Sequence, residues 1–144
     1  MKKIIITFFL ITSLFLFIGC NKEEIKEKED DEMITDINVI INNKTYILKL
    51  ENNNTVSEFI KLLPLEVTMN ELNSNEKYVY LDNILPTNSY SPKHINKGDV
   101  YLYGNNCLVI FYKSFDTSYS YTKIGHIDNL EDLGTENITV NFKR

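Results

Sequence analysis

The chain has 144 residues, a formal net charge of −5, two cysteines, no tryptophan and a single arginine, Arg144 at the very end. That length holds one compact domain and little else. The acidic balance argues against a nucleic-acid partner, which needs clustered Lys and Arg, and the lack of an internal arginine removes bidentate guanidinium chemistry from any site.

The N-terminus reads Met1-Lys2-Lys3, then a largely apolar run over residues 4–18, then Gly19-Cys20. A basic start, a short greasy core and a small residue before the cut make a secretory signal. A spanning helix needs about 20 apolar residues, so an uncleaved anchor is the weaker alternative. Gly19-Cys20 resembles the lipobox of bacterial lipoproteins. The resemblance implies a leader over 1–19 and a lipidated Cys20 as the new N-terminus, hence an exported protein held to a cell or outer membrane. Two acyl chains, each buried methylene contributing about 0.8 kcal/mol, suffice for stable anchoring.

Residues 21–32 set three lysines against seven acids around one apolar side chain, Ile25. Such a stretch cannot nucleate a core, so residues 20–35 read as the lipidated cysteine and a solvated acidic tether, extended or as a short charged helix. The folded domain is then 36–144.

From residue 37 the pattern has period two. Ile37, Val39 and Ile41 alternate with other residues, Asn42-Asn43-Lys44 turns the chain, and Tyr46, Leu48 and Leu50 alternate again: a β-hairpin. Thr55 with Glu58 reads as a capping box opening a helix that carries Phe59, Leu62 and Leu63 and stops at Pro64. Strand-like runs follow at 65–69 and 78–81, then a long loop over 82–97 with Pro86 and Pro92. Gly98-Asp99 opens a second hairpin, 100–103 and 107–112, apolar on both faces and so central to the sheet. A polar-aromatic loop, a strand over 121–127, a short helix over 130–133 ended by Gly134 and a strand over 138–142 complete the chain. Eight short strands with one or two short helices argue for a closed β-barrel, which leaves no exposed edges.

The ordered segments TVSEFIKLLPLEVTMNEL, NEKYVYLDNILP, KGDVYLYGNNCLVIFYKSF and YTKIGHIDNLEDL resemble the bacterial cyclophilin-like fold family across essentially the whole domain. The resemblance implies a mostly-β, cyclophilin-like closed eight-stranded barrel. It departs from the family in the short turn Tyr103-Gly104-Asn105-Asn106, where relatives usually have a longer Pro- and Gly-containing turn. True cyclophilins isomerise X-Pro bonds with an arginine, supported by Phe, Met, Gln, Trp and His. Here no tryptophan, glutamine or internal arginine exists, and the barrier to be lowered is about 18–20 kcal/mol.

Other chemistry finds little support. Cys107 lies in an apolar strand and reads as a small buried hydrophobe ahead of a reactive thiol. His94 reads as a surface residue and His126 as a hydrogen-bonded or solvent-facing strand residue ahead of a general base. No metal-ligand spacing, phosphate-binding glycine loop or serine elbow occurs, so no metal and no cofactor is expected. What remains is a concentration of aromatic and amide side chains. Tyr101, Tyr103, Asn105, Phe115, Tyr119 and His126 are the candidate ligand-binding residues, with the loop members Phe115 and Tyr119 foremost. The expected role is a non-catalytic binding module for a peptide, protein or small ligand, with a prolyl isomerase or other enzyme as the alternative. An enzyme would surround His126 with an aromatic pocket and a second polar group.

Overall fold

The computed structural model describes residues 33–144. The leader, Cys20 and most of the tether lie outside the described residues.

Period-two alternation closes into a barrel of eight antiparallel strands. In chain order they are β1 (Asp36–Ile41), β2 (Lys44–Leu50), β3 (Leu65–Leu72), β4 (Glu76–Tyr80), β6 (Asp99–Tyr103), β7 (Cys107–Phe111), β9 (Thr122–Ile127) and β10 (Ile138–Lys143), arranged β1-β10-β3-β4-β7-β6-β9-β2. Two short strands, β5 (His94–Ile95) and β8 (Phe115–Asp116), form a separate ribbon. The expected barrel is therefore present, and its eight strands overlap the eight runs that the sequence marks as strands, β3 continuing to Leu72 and β4 beginning at Glu76.

Asn42 and Asn43 both take positive φ, 50° and 62°, as a two-residue hairpin turn with the right twist requires. Val39 on β1 faces Tyr46 on β2 across this hairpin. Gly98 has φ 97°, and a Cβ there would stand 2.2 Å from the Ile127 carbonyl oxygen. Only glycine fits between β6 and β9 at that point.

The interior holds Ile37, Val39, Leu48, Met69, Val100, Leu102, Leu108, Ile110, Ile124, Val140 and Phe142, all essentially inaccessible. One end is closed by α1 (Asn54–Phe59) and the 3-10 turn that follows it, whose Phe59 meets Phe142 edge-on with centroids 5.6 Å apart. The helix is capped differently from expectation. Asn53 is the N-cap, its Oδ1 accepting from the Val56 N–H at 2.9 Å, while the Thr55 hydroxyl is buried and donates to the Pro86 carbonyl at 2.6 Å. Asn and Thr both cap well, and tertiary contact with residue 86 draws Thr55 inward.

Two further expectations are corrected. Residues 130–133 are not helical: Leu130 and Leu133 are buried by an irregular segment that packs on the barrel. Four residues cannot sustain a helix without further support. The loop over 82–97 contains β5, and Tyr90 bridges to Tyr121.

The opposite end of the barrel is closed by a polar hub. Lys77 on β4 points inward and is wholly buried; its Nζ donates to Glu71 Oε2 at 2.6 Å, to the Gly134 carbonyl at 2.7 Å and to the Glu136 carbonyl at 2.6 Å. All three ammonium protons are used. The Tyr112 hydroxyl donates to the same Glu71 carboxylate at 2.9 Å, and its ring lies 5.1 Å from Nζ. Burial, reinforced by Glu71, pushes the Tyr112 phenol above its ordinary range.

Removing one member of a buried, fully bonded ion pair costs about 3–5 kcal/mol because its partners are stranded. Lys77→Met should therefore lower unfolding stability in urea by about that amount. Lys44→Met, which breaks the exposed pair of Lys44 with Glu131, should lower it far less. Equal effects would show that the hub is not the closure of this end.

Candidate functional site

Strands β4, β7 and β6 are neighbours in the barrel wall, and their alternation gives this wall two apolar faces. Leu108, Ile110, Val100 and Leu102 point inward, whereas Tyr101, Cys107, Val109 and Phe111 join Ile95 and Tyr121 in a second buried cluster outside the wall. Tyr78 and Phe115 pack against it. The β5–β8 ribbon brings Ile95 and Phe115 over this outer layer. Phe111 is its centre, with ring centroids 5.5 Å from Phe115, 5.6 Å from Tyr121 and 6.1 Å from Tyr101.

Above this floor lies a cleft of about 460 Å³, within the roughly 300–1,000 Å³ of small-ligand sites. Cys107 and Val109 form part of its lining, together with Glu76, Tyr78 and Tyr80 from β4, Tyr103 from the end of β6, and Phe115, Tyr119 and Tyr121 from the segment around β8. Tyr80, Tyr103 and Tyr119 are exposed, an aromatic concentration on a polar surface. Tyr103 and Tyr119 meet edge-on at 6.1 Å, and Tyr103 and Tyr121 lie 5.6 Å apart.

Of the residues singled out in the sequence, Tyr103, Phe115 and Tyr119 line the cleft. Tyr101 does not: it is buried beneath, its ring 5.4 Å from Tyr121 and its hydroxyl 3.3 Å from that of Tyr90. Burial pushes its phenol above the ordinary range. Asn105 does not line it either; it sits in the β6–β7 turn, where its carbonyl accepts from the Leu85 N–H at 2.8 Å. The short turn contributes Tyr103 alone, and the 115–121 segment supplies the opposite wall.

His126 also stands apart from the cleft. On β9 it pairs across β6 with Asp99, its Nδ1 2.8 Å from Asp99 Oδ1. Asp99 is buried and accepts from the Asn96 N–H at 2.9 Å, with Lys123 Nζ 3.9 Å away. The polar partner that an enzyme would need beside His126 is present, but the aromatic pocket lies elsewhere. Among the described residues, no three His, Cys, Asp or Glu side chains converge as metal ligands.

Sequence reasoning missed Glu76, Tyr78 and Tyr80. The period-two spacing of Glu76, Tyr78 and Tyr80 was the available signal, obscured by Lys77 and Val79 between them. Burial, followed by repulsion from Glu71, raises the Glu76 carboxyl to about 7. Burial likewise pushes the Cys107 thiol up to about 11, so the thiol is protonated at neutral pH.

A closed barrel of eight antiparallel strands with a single short helix is the architecture of a cyclophilin-like domain. The model of the Cyclophilin-like family matches residues 39–143, and the chain belongs to that family. Neither the curated proteins nor the solved structures give a significant match to it.

The Glu76 shift has a thermodynamic consequence. Its folded value, about 7, exceeds the ordinary 4.5, so between those values the folded chain holds more protons than the unfolded one. Its contribution to stability is complete below about pH 4.5 and is lost as pH rises through 7. Glu76→Gln should remove that slope and exceed the parent by about 1–2 kcal/mol at alkaline pH, allowing for partial exposure, with no gain in acid. Paired urea titrations across this range test it; a constant difference between the two chains would contradict the raised carboxyl.

Proposed function

We propose that the protein is an exported lipoprotein presenting a non-catalytic ligand-binding domain at the cell envelope. The cleft carries the binding half of this reading: about 460 Å³ of open volume rimmed by Tyr80, Tyr103 and Tyr119. Tyrosine offers broad apolar contact with a polar tip at little entropic cost, the profile of a recognition surface. Its occupant is a small molecule or a short segment of a peptide or protein.

The chemistry present favours holding over transforming. Arg144, the sole guanidinium, lies by the Ile60 carbonyl at 3.4 Å, and neither it nor a histidine lines the cleft. A prolyl isomerase would need a positioned donor to the prolyl amide, and an aromatic trough alone supplies only part of the barrier reduction.

The anchoring half rests on the sequence of the first 20 residues, with the acidic stretch after Cys20 as a spacer that keeps the domain clear of the headgroups. Of the described residues, no helix is long and apolar enough to cross a membrane.

Two measurements test the proposal. Metabolic labelling with a radioactive fatty acid should mark the wild-type chain and not Cys20→Ala; equal labelling of both would refute lipidation at this residue. In a proline-isomerisation assay the protein should leave the uncatalysed rate unchanged, while acceleration abolished by Tyr119→Ala or Phe115→Ala would make the cleft an active site.

A further inference from the structure

The cleft has a marked chemical bias. Its lining includes two carboxyl side chains, Glu76 and Asp116, and no Lys, Arg or His. Asp116 is already paired, its Oδ1 2.6 Å from His94 Nδ1. Glu76 is not: among the described residues it takes part in no ion pair, and its carboxylate accepts no hydrogen bond, although it is half-buried. Beside it Asn75, also part of the lining, buries its Oδ1 without a hydrogen-bond partner. A buried acceptor left unpaired is costly and rare in native proteins.

The unpaired Glu76 carboxyl is thus set among the aromatic residues Tyr78, Tyr80, Tyr103, Phe115, Tyr119 and Tyr121. An anion would meet the Glu76 carboxylate with no cation in the lining to offset it. A neutral apolar guest would leave the Glu76 carboxyl unpaired. An ammonium group answers both features: its charge and N–H groups complement the Glu76 carboxylate, and the tyrosine rings attract it through their quadrupoles.

Resting on the reading of the cleft as a ligand site, we infer that it takes an organic ammonium ion, with Glu76 as the counter-charge. The alkyl part lies on the floor of Cys107 and Val109. The titratable groups around Glu76 add no competing cation. Glu71 on β3, Cys107 on β7 and Tyr121 before β9 are its electrostatic neighbours, and Lys77, next in sequence, turns its Nζ into the barrel toward Glu71.

The test compares n-pentylammonium with its neutral counterpart 1-pentanol. The full chain, in a non-ionic detergent, is observed through tyrosine and phenylalanine ring resonances at about pH 8, where the carboxyl of Glu76 is mostly ionised. The ammonium should bind about tenfold or more tightly than the alcohol, shifting Tyr103, Phe115 and Tyr119. Glu76→Gln should bring the ammonium down to the level of the alcohol and leave the alcohol unchanged. Glu66→Gln, which removes the same charge from an exposed β3 position outside the lining, should change neither. Equal binding of both compounds by the parent chain would overturn the ammonium inference while keeping the cleft a ligand site. Loss of preference in Glu66→Gln would reduce it to the general acidity of the chain. Shifts from neither compound would overturn the inference and the ligand-site reading together.

Discussion

The whole arrangement depends on a barrel wall that must be apolar on both faces. Strand β7 is buried at every position. Leu108 and Ile110 belong to the interior core, and Cys107, Val109 and Phe111 to the outer cluster. Most barrel strands in this fold pay attention to one face only, as on β10, where buried Ile138, Val140 and Phe142 alternate with more exposed residues. A wall buried on both sides is usually covered by helices. Here the outer cover is an irregular segment and a two-residue ribbon, which protect the centre of the wall and leave the cleft at its margin.

Strand β4 joins this wall to the polar hub at the end of the barrel, and it does so through adjacent residues. Lys77 enters the interior and ties β4 to Glu71 and to the 134–136 segment, while Glu76 faces the cleft. The two are coupled through Glu71, which both anchors Lys77 and adds its repulsion to the burial that raises Glu76. A change of charge at the hub therefore acts on the cleft through Glu71. Loss of the Lys77 charge leaves the Glu71 charge less compensated, which favours protonation of Glu76 further.

How much of this was legible in the sequence follows from the range of each signal. The barrel strands were legible because alternation is local, and the Asn42-Asn43 turn fixes its hairpin through backbone geometry alone. The family's order of segments reinforced that reading. The second helix failed because Leu130 and Leu133, spaced like a helical pair, are buried by tertiary packing instead. The Thr55 cap failed for a similar reason, since Asn53 competes locally and Pro86 draws the threonine away from thirty-one positions along the chain. The cleft was half legible. Phe115 and Tyr119 were singled out because no strand pattern demanded their burial, whereas Tyr101 differs from Tyr103 only in lying one step deeper under the ribbon. Glu76 could be found only once β4 was known to stand beside β7.

The chemical character of the cleft follows from the same burial that builds its floor. Partial desolvation penalises charge, so the Cys107 thiol is held at about 11 and the Tyr121 phenol is raised as well. Burial thus moves both of these groups further from ionisation near pH 7. Glu76, at about 7, is the exception among the shifted groups lining the cleft, because an already acidic group raised by burial lands within the neutral range. The His126–Asp99 pair, the other constellation suited to proton transfer, is anchored to the β6–β9 seam by Asn96 and Gly98 and lies outside the cleft. The His126 imidazole and the aromatic cleft are therefore built on different parts of the wall, and a ligand on the tyrosines meets Glu76 and the Asp116 carboxyl that pairs with His94.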